Sequence, residues 1–471
     1  MVNIKPFKIH PCIKIFCVAK SSLIGLLFLF TMAVLVVTTT RCGGKSNGNE
    51  NKDVNECLSG NGGCDVNATC THVPGQTGSA ARTCACNPGY SGDGLECIPI
   101  SLSVDCSAQG ACSELSVAGD APATTPGLFK GFADPTLVQD LDIPGRRWLT
   151  YTWPHIQTGQ GLDGKTVYIA ATSIHLARSD DSGISFTFAK ELWPAVPSAD
   201  PEASGQNGIL NSEVASLAAI RSDGTTTWYG SRQRYFQQAL TGYNPKYSTS
   251  WIMRIAAASS PDKLADAPDT VLGVSTAAPV YSVDVYIDQL AGLPIQRCAM
   301  LNNPALFTSG STLYLVLECL AFIGQTQDFP NNTVQIFATE PQGTPSSWQW
   351  RYVGKIADYS IGQELGSPSV KQPNLSLSSD GKPLLLLTYG VLDSNVVDGI
   401  RAQGCVALEL SSIEPPMLRR NSAGDLVVRA RVEGNNIGAC THATGSSTGI
   451  LATRNADSGG YWTLVKSGLD P

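Results

Sequence analysis

From Phe129 onward the chain repeats a strand–turn–strand unit five times. The units open at Phe132-Ala133-Asp134-Pro135, Ser212-Glu213-Val214-Ala215, Asn303-Pro304-Ala305-Leu306, Gln372-Pro373-Asn374-Leu375 and Gly438-Ala439-Cys440-Thr441. Each continues through short runs rich in β-branched, aromatic and leucine residues, such as Arg147–Trp153, Thr226–Arg232, Leu313–Cys319, Pro383–Tyr389 and Gly449–Arg454. One such unit cannot cover its own apolar face, so the units must stack against one another.

The turn Ser179-Asp180-Asp181-Ser182-Gly183-Ile184-Ser185-Phe186 lies in the first unit. Asp181 can accept backbone N–H groups inside the turn, Gly183 can take a positive φ, and Phe186 can pack beneath. The same spacing returns in the fifth unit as Asn455-Ala456-Asp457-Ser458-Gly459-Gly460-Tyr461-Trp462, at what reads as the equivalent place. These turns resemble the Asp-box of sialidase-like β-propellers, which in that family joins the third and fourth strands of a blade. Five units of about four strands, spaced about 65–90 residues apart, then make residues 127–471 an all-β, five-bladed β-propeller. Six or seven blades stay open if the inserts at 154–165, 236–250 and 275–297 hide strands.

Between Asp53 and Cys97 the chain changes character. Cys57, Cys64, Cys70, Cys84, Cys86 and Cys97 crowd a segment too small to bury a core, so cross-links must hold it. Six cysteines alone allow fifteen connectivities. Cys84-Ala85-Cys86 followed by Asn87-Pro88-Gly89-Tyr90 closely resembles an EGF-like domain, here residues 53–97. The resemblance implies Cys57–Cys70, Cys64–Cys84 and Cys86–Cys97. Asp53-Val54-Asn55-Glu56 also resembles the start of the calcium-binding subtype, which implies that Asp53, the Val54 carbonyl and Glu56 hold a calcium ion. His72 and Arg82 depart from that subtype's pattern. Cys106 and Cys112 form a further staple in a linker covering residues 98–126. The pairs Cys298/Cys319 and Cys405/Cys440 follow as the oxidised remainder.

Fifteen cysteines argue against a reducing cytosol. Lys5, Lys8, Lys14 and Lys20 precede a short apolar run from Leu23 to Val37, the pattern of an export signal or signal anchor. Cys42-Gly43-Gly44 after it resembles a bacterial lipoprotein cleavage site, implying lipidation of Cys42; Arg41 departs from that pattern. Residues 1–42 are therefore a signal segment, residues 43–52 a polar spacer, and any membrane contact an N-terminal one. A net charge of −7 with no basic stripe excludes nucleic acid as a partner.

In a propeller the innermost strands line a central channel, so the five openings converge. Asp134, Glu213, Asn303, Gln372 or Asn374, and His442 are the channel candidates, with Trp153, Tyr235 and Phe236 as faces on which sugars stack. The Ala133-Asp134-Pro135 opening resembles that of five-bladed arabinanase/xylosidase-type hydrolases, where the Asp is the general base. Glycoside hydrolysis needs two carboxyls, and Glu213 is the second. The third unit offers Asn302-Asn303-Pro304 where that family places its acid, and an amide cannot donate the proton. The arginine constellation of sialidases has no counterpart. Two readings result: a tethered surface protein whose propeller binds glycan or protein ligands, or a secreted glycoside hydrolase using Asp134 and Glu213.

Overall fold

The computed structural model describes residues 53–124, 129–160, 165–199, 207–238, 247–276, 285–286, 300–323, 326–394, 399–456 and 460–471. The disulfides Cys57–Cys70, Cys64–Cys84 and Cys86–Cys97 are formed and clamp two small hairpins, Ala68–His72 on Arg82–Cys86 and Tyr90–Gly92 on Cys97–Pro99. Cys42 lies outside the described residues. Among those described, no helix is long and apolar enough to cross a membrane.

Five antiparallel sheets follow. Blade I holds Ala133–Gln139, Arg147–Gln160, Thr166–Ser179 and Phe186–Trp193, from the inside outward. Blade II holds Asn207–Ser222, Thr225–Gln238, Tyr247–Ala258 and Asp269–Thr276; blade III holds Met300–Ser309, Thr312–Leu320, Thr333–Thr339 and Arg351–Asp358. Blade IV holds Val370–Leu377, Pro383–Leu392, Ile400–Ser412 and Val428–Glu433. Blade V has only Ile437–Thr441, Leu451–Asn455 and Tyr461–Lys466 from its own stretch of chain.

The core is divided among the gaps between blades. Trp148, Leu176 and Trp193 pack on Leu217 and Trp228 between blades I and II, and Met253 and Ile255 on Leu315 and Phe337 between II and III. Ile336 meets Leu385 and Val406, Leu386 meets Ile450 and Ala452, and Leu451 and Leu464 meet Leu149 and Phe186. The last gap joins blade V to blade I, so the ring closes at five. The described parts of the inserts at 154–165 and 236–250 lengthen the paired second and third strands of blades I and II, and Val285–Tyr286 of the third insert adds to the outer edge of blade II.

Residues 98–126, expected as a linker, supply outer strands instead. Leu102–Asp105 adds in parallel to blade IV, Ser113–Leu115 adds antiparallel to blade V, and Val117–Ala118 adds in parallel to blade I. Lys130–Gly131 then returns to blade V before blade I begins. Cys106–Cys112 staples the turn between the first two of these strands, and Cys405–Cys440 ties blade IV to blade V. Cys319 is disulfide-bonded, while Cys298 lies outside the described residues.

The Ser179–Phe186 turn joins the third and fourth strands of blade I. Asp181 accepts the Ser185 N–H at 3.0 Å and the Ser185 and Ser179 hydroxyls at 2.6 and 2.7 Å; those bonds hold its carboxyl down near pKa 2. Phe186 is buried against blade V. The second turn differs in place. It connects Leu451–Asn455 to Tyr461–Lys466, the second and third strands of blade V, because the fourth strand there comes from Ser113–Leu115. Residues 457–459 lie outside the described residues.

Candidate functional site

Each innermost strand carries a β-bulge near the axis. Pairing with the second strand runs Ala133↔Thr152, Glu213↔Gln233, Asn302↔Glu318, Lys371↔Thr388 and Gly438↔Thr453, then skips two residues. The first skipped residue has a positive φ in every blade: Asp134 at 47°, and Val214, Asn303, Gln372 and Ala439 at 49°. Two residues opposite one turn the strand and re-aim that side chain. The five converge on a narrow axial cavity of about 30 Å³, lined also by Pro135, Pro304, Pro373 and Asn374. That space suits a few waters, so a sugar ring would bind above it.

This register corrects one expectation. Val214, not Glu213, stands where Asp134 stands; Glu213 is one residue earlier, level with Ala133 and Lys371. No proline follows in blade II to mark the bulge, which is why the offset is hard to see in the sequence.

The bulge N–H groups are satisfied across the blade boundaries. Asp134 donates to Thr453 Oγ1 at 2.9 Å, Val214 to Thr152 Oγ1 at 3.0 Å, and Ala439 to Thr388 Oγ1 at 2.8 Å. Thr152 Oγ1 in turn hydrogen-bonds the Asp134 carboxyl. In blade III this threonine position is Glu318, a fully buried carboxylate that accepts from Asn303 Nδ2 at 2.6 Å and Asn302 Nδ2 at 3.4 Å. Sequence reasoning passed over Glu318; a lone acid inside the apolar run Leu313–Leu320 was the available signal.

Burial pushes the Asp134 carboxyl up to about 6, with Thr152 opposing the rise. Burial also pushes Glu213 up, to about 8, and the neighbouring Asp134 charge adds to it, while the Tyr235 hydroxyl, donating to Glu213 Oε2 at 3.1 Å, opposes it. Both acids therefore hold their protons more tightly than free carboxyls do, and an ionised Asp134 raises Glu213 further.

Asn303 and Asn374 are among the residues lining the cavity. His442 is not. Its ring is buried, with Nε2 2.8 Å from Asp470 Oδ1 and Nδ1 3.1 Å from Ser376 Oγ, and Ser376 Oγ donates to the His442 carbonyl at 2.8 Å. Those bonds tie blade V to blade IV and to the C-terminal segment. Trp153 is also elsewhere: it stacks on His175 at 4.8 Å and donates its indole N–H to the Ala121 carbonyl at 3.0 Å, fastening residues 120–121 to blade I. Phe236 is buried in the body of blade II.

In the EGF-like module Glu56 Oε2 lies 3.8 Å from His72 Nδ1, and Asn55 Oδ1 caps the Cys57 N–H. Among the described residues no three acidic, histidine or cysteine side chains gather as a metal site.

A family model described as EGF domain matches residues 57–97. No curated protein matches the chain in sequence. Among solved structures, a family 117 glycoside hydrolase from the marine bacterium Zobellia galactanivorans is 11% identical over 76% of this chain and 91% of its own, with a TM-score of 0.41. An exo-inulinase from Aspergillus awamori is 12% identical over 73% and 62%, with a TM-score of 0.41. The Bacillus subtilis arabinanase Arb43A is 12% identical over 73% and 95%, with a TM-score of 0.33. These likenesses are too distant to bear on chemistry. The strand order and register themselves define the chain as an EGF-like module followed by a five-bladed β-propeller.

Proposed function

We propose that the propeller processes a carbohydrate at the mouth of its axial cavity, with Glu213 as general acid and Asp134 as the carboxylate partner. The observation that carries this reading is a pair of acids on neighbouring innermost strands, Asp134 and Glu213, both raised by burial and near enough for the Asp134 charge to raise Glu213 further. A glycosidase needs a protonated and an ionised carboxyl side by side at working pH. Glu213 protonates the departing glycosidic oxygen. Asp134 either activates water or attacks the anomeric carbon, and the anomer of the product, read by NMR, distinguishes the two. Asn303, Gln372 and Asn374 present amides toward sugar hydroxyls. Disulfides and the EGF-like module fit an oxidising, extracytoplasmic setting.

The test is a panel of aryl-glycosides and arabinan, inulin and xylan oligomers. Turnover should follow a bell between about pH 6 and pH 8. Asp134→Asn and Glu213→Gln should each lower kcat by about 10²-fold or more. Turnover unchanged in both variants sinks the assignment.

A second reading, glycan binding without turnover, is favoured by the amides Asn302 and Asn303 at the third opening and by the small cavity. Retention on a glycan array with no hydrolysis anywhere in the panel is the outcome that would select it.

A further inference from the structure

Blade II carries a cationic cluster that is only partly compensated. Arg232 and Arg234 lie two residues apart on its second strand, and Arg254 stands opposite Arg232 on the third. One carboxylate serves them. Asp269 receives Arg254 Nε at 2.9 Å and Arg254 Nη2 at 2.6 Å, and also pairs with Arg232. Arg234 has no hydrogen bond or ion pair among the described residues, although it is half-buried. Burial and the nearby Arg254 charge both lower its pKa.

Arg232 is the more telling residue. It is 5% exposed, its guanidinium sits 4.5 Å above the Trp193 ring, and burial pushes its pKa down to about 10. Its Nε and Nη1 are buried without hydrogen-bond partners. A buried guanidinium with unmade hydrogen bonds costs stability unless a ligand completes them. Three guanidinium groups around one carboxylate leave net positive charge for a second anion. Planar forks of this kind favour carboxylate, sulfate or phosphate oxygens.

We propose that Arg232, Arg234 and Arg254 form an anion-binding subsite on blade II that takes a carboxylate or sulfate group of an acidic saccharide. The saccharide part rests on the carbohydrate reading of the axial site; the anion site does not. A single extended chain occupying both would make the protein selective for anionic over neutral polymers.

Calorimetric titration of the full chain tests this with four probes: inorganic sulfate, a uronic-acid oligomer, a sulfated galactose oligomer and a neutral arabinose oligomer. At least one anionic oligomer should bind, its affinity falling about tenfold or more between low and high salt. Arg234→Ala should weaken it about tenfold, and a side chain with no hydrogen bond among the described residues can be removed with little effect on folding, which an unchanged melting temperature checks. The uronate and sulfate arms identify the group. Glu213→Gln should keep the anionic binding while losing turnover, so failure of the catalytic reading leaves a distinct signature. Equal affinity in the wild type and Arg234→Ala, or no binding of any anionic probe to the folded wild type, overturns the proposal.

Discussion

Glu213 holds its proton more tightly in the folded chain than in the unfolded one, about 8 against 4.5. Between those values the native state keeps a proton that the unfolded state releases. Its contribution to stability is therefore full below about pH 4.5 and lost as the pH climbs toward 8. Glu213→Gln should stabilise the protein clearly more at pH 8 than at pH 4.5, because only at the higher pH does folding oppose the ionised carboxylate. Urea unfolding at both pH values checks this; an equal shift at the two would contradict a strained acid. Asp134 was legible because Ala133-Asp134-Pro135 announces itself. Thr152 and Glu318 were not, because their roles come from the neighbouring strand or blade, and no local pattern records that neighbour.

At the level of elements, the five bulges hold non-glycine residues in the left-handed region. For Asn303 and Asp134 this is mild, since short polar side chains tolerate it; for the β-branched Val214 it is a strained choice. Val214→Asn should therefore raise stability by about 1 kcal/mol, measured as a higher urea midpoint with an unchanged slope. A loss of similar size would mean that the valine methyls pack better than the backbone suffers. Proline follows the bulge residue in blades I, III and IV, which made those openings easy to find. In blades II and V the second skipped residue is Ala215 or Cys440, and the sequence blurs by one position there. Strand identity was readable from composition. Which strand came from which part of the chain was not, because strands as short as Val117–Ala118 carry no periodicity.

For the whole molecule, the stretch Leu102–Gly131 is a lace rather than a tether. It pairs with blade IV, blade V, blade I and blade V again. Removing residues 53–97 should leave a folded propeller whose melting temperature falls by a few degrees at most. Removing residues 53–131 should lower it by more than about 10 °C or yield aggregates, because three blades would expose unpaired outer edges. Differential scanning calorimetry of the two truncations separates these outcomes; similar melting for both would show the lace to be dispensable.

That lacing also sets the order in which the protein can be made. Leu102–Asp105 and Ser113–Leu115 emerge more than 300 residues before their partners Val428–Glu433 and Tyr461–Lys466. Val117 can join blade I soon after it is made, but Leu115 must wait for Leu464 of blade V. The ring is thus sealed only once Tyr461–Lys466 has been made, so the early strands and the last blade must meet across the whole propeller sequence, a pairing of high contact order.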